Sequence, residues 1–338
     1  MDGQQYPRAM ASAPLSGPGF LRSLIDGTAH DELVVPGGGL VVVDGDALPD
    51  RLDPGTAAPV ESLPAVVVAL ASDPGRRPAW ADLVLAPEDG RLGAVAETVA
   101  ANPLAATVLA LLLRTGDGRS IAAGLVAESA AYGLLQGGPE FARWRRNRPP
   151  RRRPTEAGPA VAVTRHGDEL TVTLDRPHVR NALSSAVRDG LDAALRIAIL
   201  DPTVTAVHLR GAGPSFCSGG DLDEFGTRSD PPSAHLLRLQ RSPARSLAAV
   251  ADRVTAHLHG AAMGSGIELA AFAHRVVAAP STRIALPEVA LGLVPGAGGT
   301  VSLPRRIGRH RTLWLALTGE TIDARTALRW GLVDGLDS

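Results

Sequence analysis

The sequence contains no lysine: all 34 of its basic residues are arginine. Schiff-base chemistry and a lysine general base are therefore closed to it. Arginine throughout, together with abundant alanine and glycine, reads as coding bias rather than as a device for stability. A single cysteine, Cys217, excludes an internal disulfide and a cysteine-rich metal site, and it is expected to be a small buried filler. Two tyrosines and five phenylalanines offer no aromatic cluster from which to infer an aromatic substrate. A net charge of −1 gives no bulk electrostatic case for nucleic acid or for a membrane surface. No basic-apolar-small leader opens the chain, and no apolar run approaches the roughly 18 residues that span a bilayer. Together these absences predict a cytoplasmic globular protein, without metal or disulfide, whose partner is a small molecule.

At 338 residues the chain has room for two domains, or for one domain with an extension. Residues 1–18 are polar and punctuated by glycine and proline, and are expected to be disordered. Glu32–Val35, Leu40–Asp44, PAVVVALAS and ADLVLA read as short buried strands. The Gly37–Gly39 stretch lacks the ending of a phosphate loop and reads as a turn. From Arg91 the apolar period becomes helical. Three amphipathic helices are expected, interrupted at Asn102–Pro103 and Gly116–Gly118. Seven arginines lie between Arg143 and Arg153, where a solvated Arg/Pro-rich linker over 145–157 is expected, with an electrostatic site for a polyphosphate as the competing reading. The expected organisation is thus a disordered 1–18, an N-terminal region 19–144, the linker, and a catalytic core 158–338.

The core's chemistry concentrates in HGAAMGSGIELAAFAHRVVAAPSTRIALPEVALGLVPGAGG. Small residues from Gly260 to Gly266 let the backbone approach a ligand and run into an apolar helix, so amide N–H groups gather where a developing anion would be stabilised. Glu268 on that helix and Glu288 after the strand-like TRIAL sit in apolar sequence, where burial raises a carboxyl pKa. Paired acids beside an anion hole point to acid–base chemistry on a carbonyl compound. Each acid could instead serve only as a helix N-terminal or capping group. Ser265 invites a nucleophile reading, but G-x-S-x-G fails around it and no histidine can be assigned as its base.

HGAAMGSGIELA and LPEVALGLVPGAGGT, with RNAL and FCSGGDL upstream, resemble the successive signatures of the crotonase (enoyl-CoA hydratase/isomerase) superfamily over roughly Ala160 to Asp337. Strands alternate with helices here, which predicts an α/β architecture, and the resemblance narrows it to a repeated ββα spiral. It further implies that the backbone N–H groups of Gly220 and Ser265 hold a thioester carbonyl oxygen, and that Glu268 and Glu288 handle water and a proton. His178, Val179 and Arg180, with Ser218, Asp221 and Leu222, are the implied coenzyme A contacts.

The activity so implied is reversible hydration of a 2-enoyl-CoA, with coenzyme A present only as part of the substrate, no other cofactor, and a trimer or hexamer as the assembly. The alternatives are double-bond isomerisation, cofactor-free dioxygenation, or a non-catalytic acyl-CoA-binding subunit. The acyl chain, and whether it belongs to fatty acid degradation or to a specialised pathway, stays open. His274 and Arg253 depart from the family pattern. The helices that usually follow the core are absent from the chain's C-terminal end, and residues 94–148 resemble them, so a permuted arrangement is expected in which a preceding helical segment docks in place of a C-terminal tail.

Overall fold

The computed structural model describes residues 14–34, 39–149, 151, 158–227 and 230–337. The chain divides into two compact units. One comprises residues 1–117 with 309–318, the other residues 118–308 with 319–338. The division therefore falls at Asp117–Gly118, inside the expected helical region, and not at the Arg/Pro-rich segment.

In the first unit, Leu40–Asp44, Val66–Leu70 and Leu83–Leu85 form a three-stranded parallel sheet in chain order. All five residues of the middle strand are buried, as expected for a parallel sheet covered on both faces. The N-terminal expectation needs correcting. Residues 1–13 lie outside the described residues, but Leu15 bridges to Val43, and a helix begins at Gly17 under a Ser16 cap that accepts from the Gly19 N–H. Glu32 ends a short helix instead of opening a strand, and Val35 is not described.

This unit is pinned by a buried ion pair. The Arg114 guanidinium donates to Asp82 Oδ1 at 3.0 Å and to the carbonyls of Val60, Leu63 and Ala65, with both side chains 2% exposed or less. Asp82 also accepts from the Val67 N–H, which ties the pair to the middle strand. Asp82 also faces Arg309 at 3.4 Å, so Arg114→Ala leaves the carboxylate that longer pair alone and strips the three carbonyls of their donor, and it should destabilise this unit by about 3 kcal/mol. Denaturant unfolding followed by circular dichroism tests this, and a loss below about 1 kcal/mol contradicts it.

The second unit carries a six-stranded sheet, whose spatial order is Gly335–Leu336, Arg275–Ala278, Val254–Leu258, Ala206–Gly211, Glu169–Leu174, Val161–His166. Only the last two strands pair antiparallel, as the expected hairpin turning at Gly167. A smaller sheet joins Ala261–Met263, Arg283–Ala285 and Ile322–Asp323. Of the two candidate caps for the helix Ser185–Leu200, Ser184 is the one that accepts, from the Val187 N–H.

Four helices stand where three are expected: Arg91–Ala101, Pro103–Arg114, Ile121–Gln136 and Pro139–Asn147. The first two belong to the first unit and the last two to the second. The Arg/Pro-rich segment is in part structured. Arg145 lies in the fourth helix and donates to the Leu222 carbonyl at 2.9 Å, and Arg148 pairs with Asp223 at 3.2 Å. These guanidiniums are used by the fold of the second unit, while residues 150 and 152–157 lie outside the described residues. Among the described residues no single helix is long and apolar enough to cross a membrane, and the apolar pair Arg91–Ala101 and Pro103–Arg114 is bent by 109°.

Candidate functional site

A cleft of about 510 Å³ opens in the second unit, and Gly220, Ser265, Glu268 and Glu288 all line it. Four segments well apart in sequence build this convergence. Asn181, fully buried with φ 55°, is the clamp. Its side-chain N–H₂ donates to the carbonyls of Ala212, Ser215 and Phe216, and its oxygen accepts from the Arg176 N–H. This fastens RNAL to the loop carrying FCSGGDL. Leu183 then bonds to the Gly219 carbonyl and accepts from the Asp221 N–H, leaving the Gly220 N–H between them without an acceptor among the described residues. Cys217 pairs with the strand Ala261–Met263, which brings the Gly220 loop beside the chain entering Ser265.

Ser265 is the first residue of the helix Ser265–Ala270, so its N–H has no intrahelical acceptor. Gly264 before it adopts φ 47°, and a Cβ there would stand 2.2 Å from Glu288 Oε1; only glycine allows this turn beside the carboxylate. The Ser265 hydroxyl faces the Cys217 thiol at 3.9 Å, and no histidine lines the cleft among the described residues. Burial pushes the Cys217 thiol up to about 11, as fits the expected inert filler.

Glu268 is 1% exposed, and its Oε2 accepts from the N–H groups of Ala297 (2.7 Å) and Gly299 (2.9 Å). Burial, then the charges of Glu288 and Glu128, holds its carboxyl well above the ordinary value. Glu288 opens the turn Glu288–Leu291, and burial raises it to about 7. Its Oε2 is buried with no hydrogen-bond partner among the described residues. Two acids of raised pKa facing one cleft can hold a proton between them near neutrality.

Of the six implied coenzyme A contacts, only Asp221 lines this cleft. Its carboxylate is committed to Arg176 at 3.3 Å, a buried ion pair. His178 and Arg180 are exposed on a turn outside the cleft, with Val179 half-buried between them; Ser218 joins that turn by donating its N–H to the Arg180 carbonyl. Leu222 is half-buried, its carbonyl held by Arg145. The departing residues His274 and Arg253 are also away from the cleft, His274 exposed and Arg253 donating to the Val204 carbonyl.

Several residues at the site were not singled out from the sequence. Tyr132 packs its ring on Gly296, where a Cβ would come within 2.4 Å of it. Its centroid is 6.5 Å from that of Phe225 in an edge-on contact, and the Arg238 guanidinium lies 4.8 Å above it. Phe225 approaches Trp144, which stacks on Phe141. An aromatic cluster thus exists where composition suggested none, because folding brings Phe225 against Tyr132, Phe141 and Trp144 of the two preceding helices. Glu128 is a third buried acid near the pair, raised to about 7 by burial; in the sequence it is one more member of a helical repeat.

A family model described as enoyl-CoA hydratase/isomerase matches residues 168–338. The peroxisomal bifunctional enzyme of Danio rerio is 43% identical over 164 residues, which are 48% of this chain and 22% of that protein. A probable enoyl-CoA hydratase of Mycobacterium leprae is 37% identical over 164 residues, 48% of this chain and 62% of the relative. The chain therefore spans less than two thirds of the length of either. Among solved structures, the enoyl-CoA hydratase of Thermoplasma volcanium shares 31% identity at a TM-score of 0.50, covering 53% of this chain and 72% of that one. That likeness bears out the α/β crotonase-like fold expected from the motifs.

Proposed function

Since the chain belongs to the enoyl-CoA hydratase/isomerase family, we propose that its cleft hydrates a 2-enoyl-CoA thioester reversibly. One observation carries this reading: two buried carboxyls of raised pKa, Glu268 and Glu288, line the same cleft as the amides of Gly220 and Ser265, which have no acceptor among the described residues. The thioester oxygen accepts from those two amides. As water adds at C3 and electron density moves through C2 onto the oxygen, the amides stabilise the enolate without reorganising, each worth on the order of 3 kcal/mol.

Within the pair, one group takes the proton of the attacking water and the other delivers a proton to C2. The proton count closes over the cycle: water supplies one proton to the base and the acid gives one to carbon, so a single exchange between them resets the pair. Glu268 keeps Oε2 as an acceptor from two amides in either protonation state, so its exchangeable proton belongs on Oε1. Glu288 has Oε2 free for the same purpose. Isomerisation needs only one such group, so the presence of both favours hydration.

The test is to incubate the protein with short, long and aryl 2-enoyl-CoA esters in H₂¹⁸O and follow loss of the conjugated thioester's absorbance and label entering at C3. Labelled 3-hydroxyacyl-CoA is expected. A shifted double bond without label points to isomerisation, and tight ester binding with no turnover points to a non-catalytic subunit. Either result overturns the reading.

A further inference from the structure

The run Ala297–Thr300 leads into a helix that starts at Gly299 and breaks at Gly308, and its four successive backbone N–H groups are shared between two glutamates in strict alternation. Ala297 and Gly299 donate to Glu268 Oε2, at 2.7 and 2.9 Å. Gly298 donates to Glu128 Oε1 at 2.6 Å, and Thr300 to Glu128 Oε2 through its N–H at 2.8 Å and its hydroxyl at 2.7 Å. Gly298 sits at φ 103° and offers no side chain to cap the helix that follows, so the cap comes from Glu128, some 170 residues away. Glu128 is 2% exposed and belongs to Ile121–Gln136, ahead of the core in sequence.

We propose that Glu128 is a positioning residue for the acid pair: it fixes the four-amide run that aims Glu268 into the cleft, and its charge biases the proton held by Glu268 and Glu288. The first half follows from geometry. A chain that loses the two Glu128 attachments keeps only Glu268 itself to hold the amides that orient Glu268, and a displacement of about 1 Å at a reacting group costs up to a hundredfold in rate. The second half follows from position. Glu128 is a like charge beside both acids and contributes to raising each.

The other groups that bear on this bias are few. Arg238, from the helix Pro231–Gln240, sustains it by favouring the Glu128 carboxylate, and Thr300 does the same through its hydrogen bonds. Tyr132, one turn on from Glu128, is held above its ordinary value by burial and stays neutral.

This inference rests on the hydratase reading for its kinetic arm only. Glu128→Gln keeps the shape, but its amide N–H₂ turns a donor toward one of the amides and its charge is gone. Expected are a fall in kcat of about tenfold to a hundredfold with KM little changed, and a displacement of the apparent pKa values of the pH–rate profile toward lower pH by about one unit, the size of an ordinary environmental perturbation.

Glutamate ¹³Cδ NMR titration of the ligand-free protein, with the Glu268 signal assigned by Glu268→Gln, should record the same downward displacement without any turnover. Thr300→Val, which removes only the hydroxyl donor and so leaves Glu128 protonated over a wider range, should move Glu268 the same way by less; it carries the test if Glu128→Gln does not fold. A lower kcat with both the pH profile and the Glu268 titration unmoved reduces Glu128 to a helix cap and overturns the proposal, as does an unchanged kcat. A wild type that binds 2-enoyl-CoA without hydrating it defeats the functional reading alone, and the NMR titration still decides this one.

Discussion

Glu268→Gln and Glu288→Gln are each expected to slow hydration of a 2-enoyl-CoA by about 10²–10⁴, the usual worth of a positioned acid or base, with little change in ester binding. The substitution preserves volume, and in Glu268 the amide carbonyl can still accept from Ala297 and Gly299, so the cleft keeps its form. What is lost is the ability to take or give a proton. The wild-type rate should rise and fall with pH around the window in which the pair holds one proton, with Glu288 near 7 and Glu268 also raised. Each variant should lose one limb of that profile. Isothermal titration with a non-hydratable ester, set beside turnover, separates the effects. Equal losses of binding and rate would mean that these acids shape the cleft and do no proton transfer.

Ser265→Pro should abolish turnover, whereas Ser265→Gly should keep most of it. Among the described residues, the Ser265 hydroxyl is turned toward the Cys217 thiol and no histidine lines the cleft to activate it, while the Ser265 N–H, at the first position of a helix, has no acceptor. Proline suits that first position sterically, so the helix can survive, but it removes the donor and places a ring carbon where the anion would sit. Glycine retains the donor and discards only the hydroxyl. Losing one such donor costs on the order of 10²–10³ in rate, and the ring's intrusion adds to this. A dead Ser265→Gly, together with an acyl-enzyme trapped on the wild type, would require the mechanism to be rewritten as covalent.

Much of the second unit can be read from its residues because its determinants are local. The alternation around His166–Gly167–Asp168 makes the hairpin, Ser184 caps its helix, and RNAL, FCSGGDL and HGAAMGSGIELA each build a turn whose glycines or asparagine tolerate the required φ. Boundaries elsewhere are less legible. The helix Pro139–Asn147 runs into the arginine cluster because Phe141 is buried and Arg145 finds a carbonyl partner in Leu222, and neither partner is visible along the chain. The break between units at Asp117–Gly118 looks, in sequence, like any other turn between helices.

The sequence by itself determined the chemistry on offer: two glutamates in apolar stretches, glycines that open a backbone to a ligand, no lysine and one inert cysteine. Those are properties of residue type and of neighbours a few positions away. Only the tertiary structure decided which groups share the site. It brought in Tyr132 and Phe225 as walls, left His178 and Arg180 outside the cleft, and set Glu128 between the amides that hold Glu268. The physical reason is that a buried carboxylate must find donors wherever the fold presents them. The four N–H groups of Ala297–Thr300 and the two glutamates that satisfy them are separated by 29 to 172 residues, so no local pattern in the chain records that they meet.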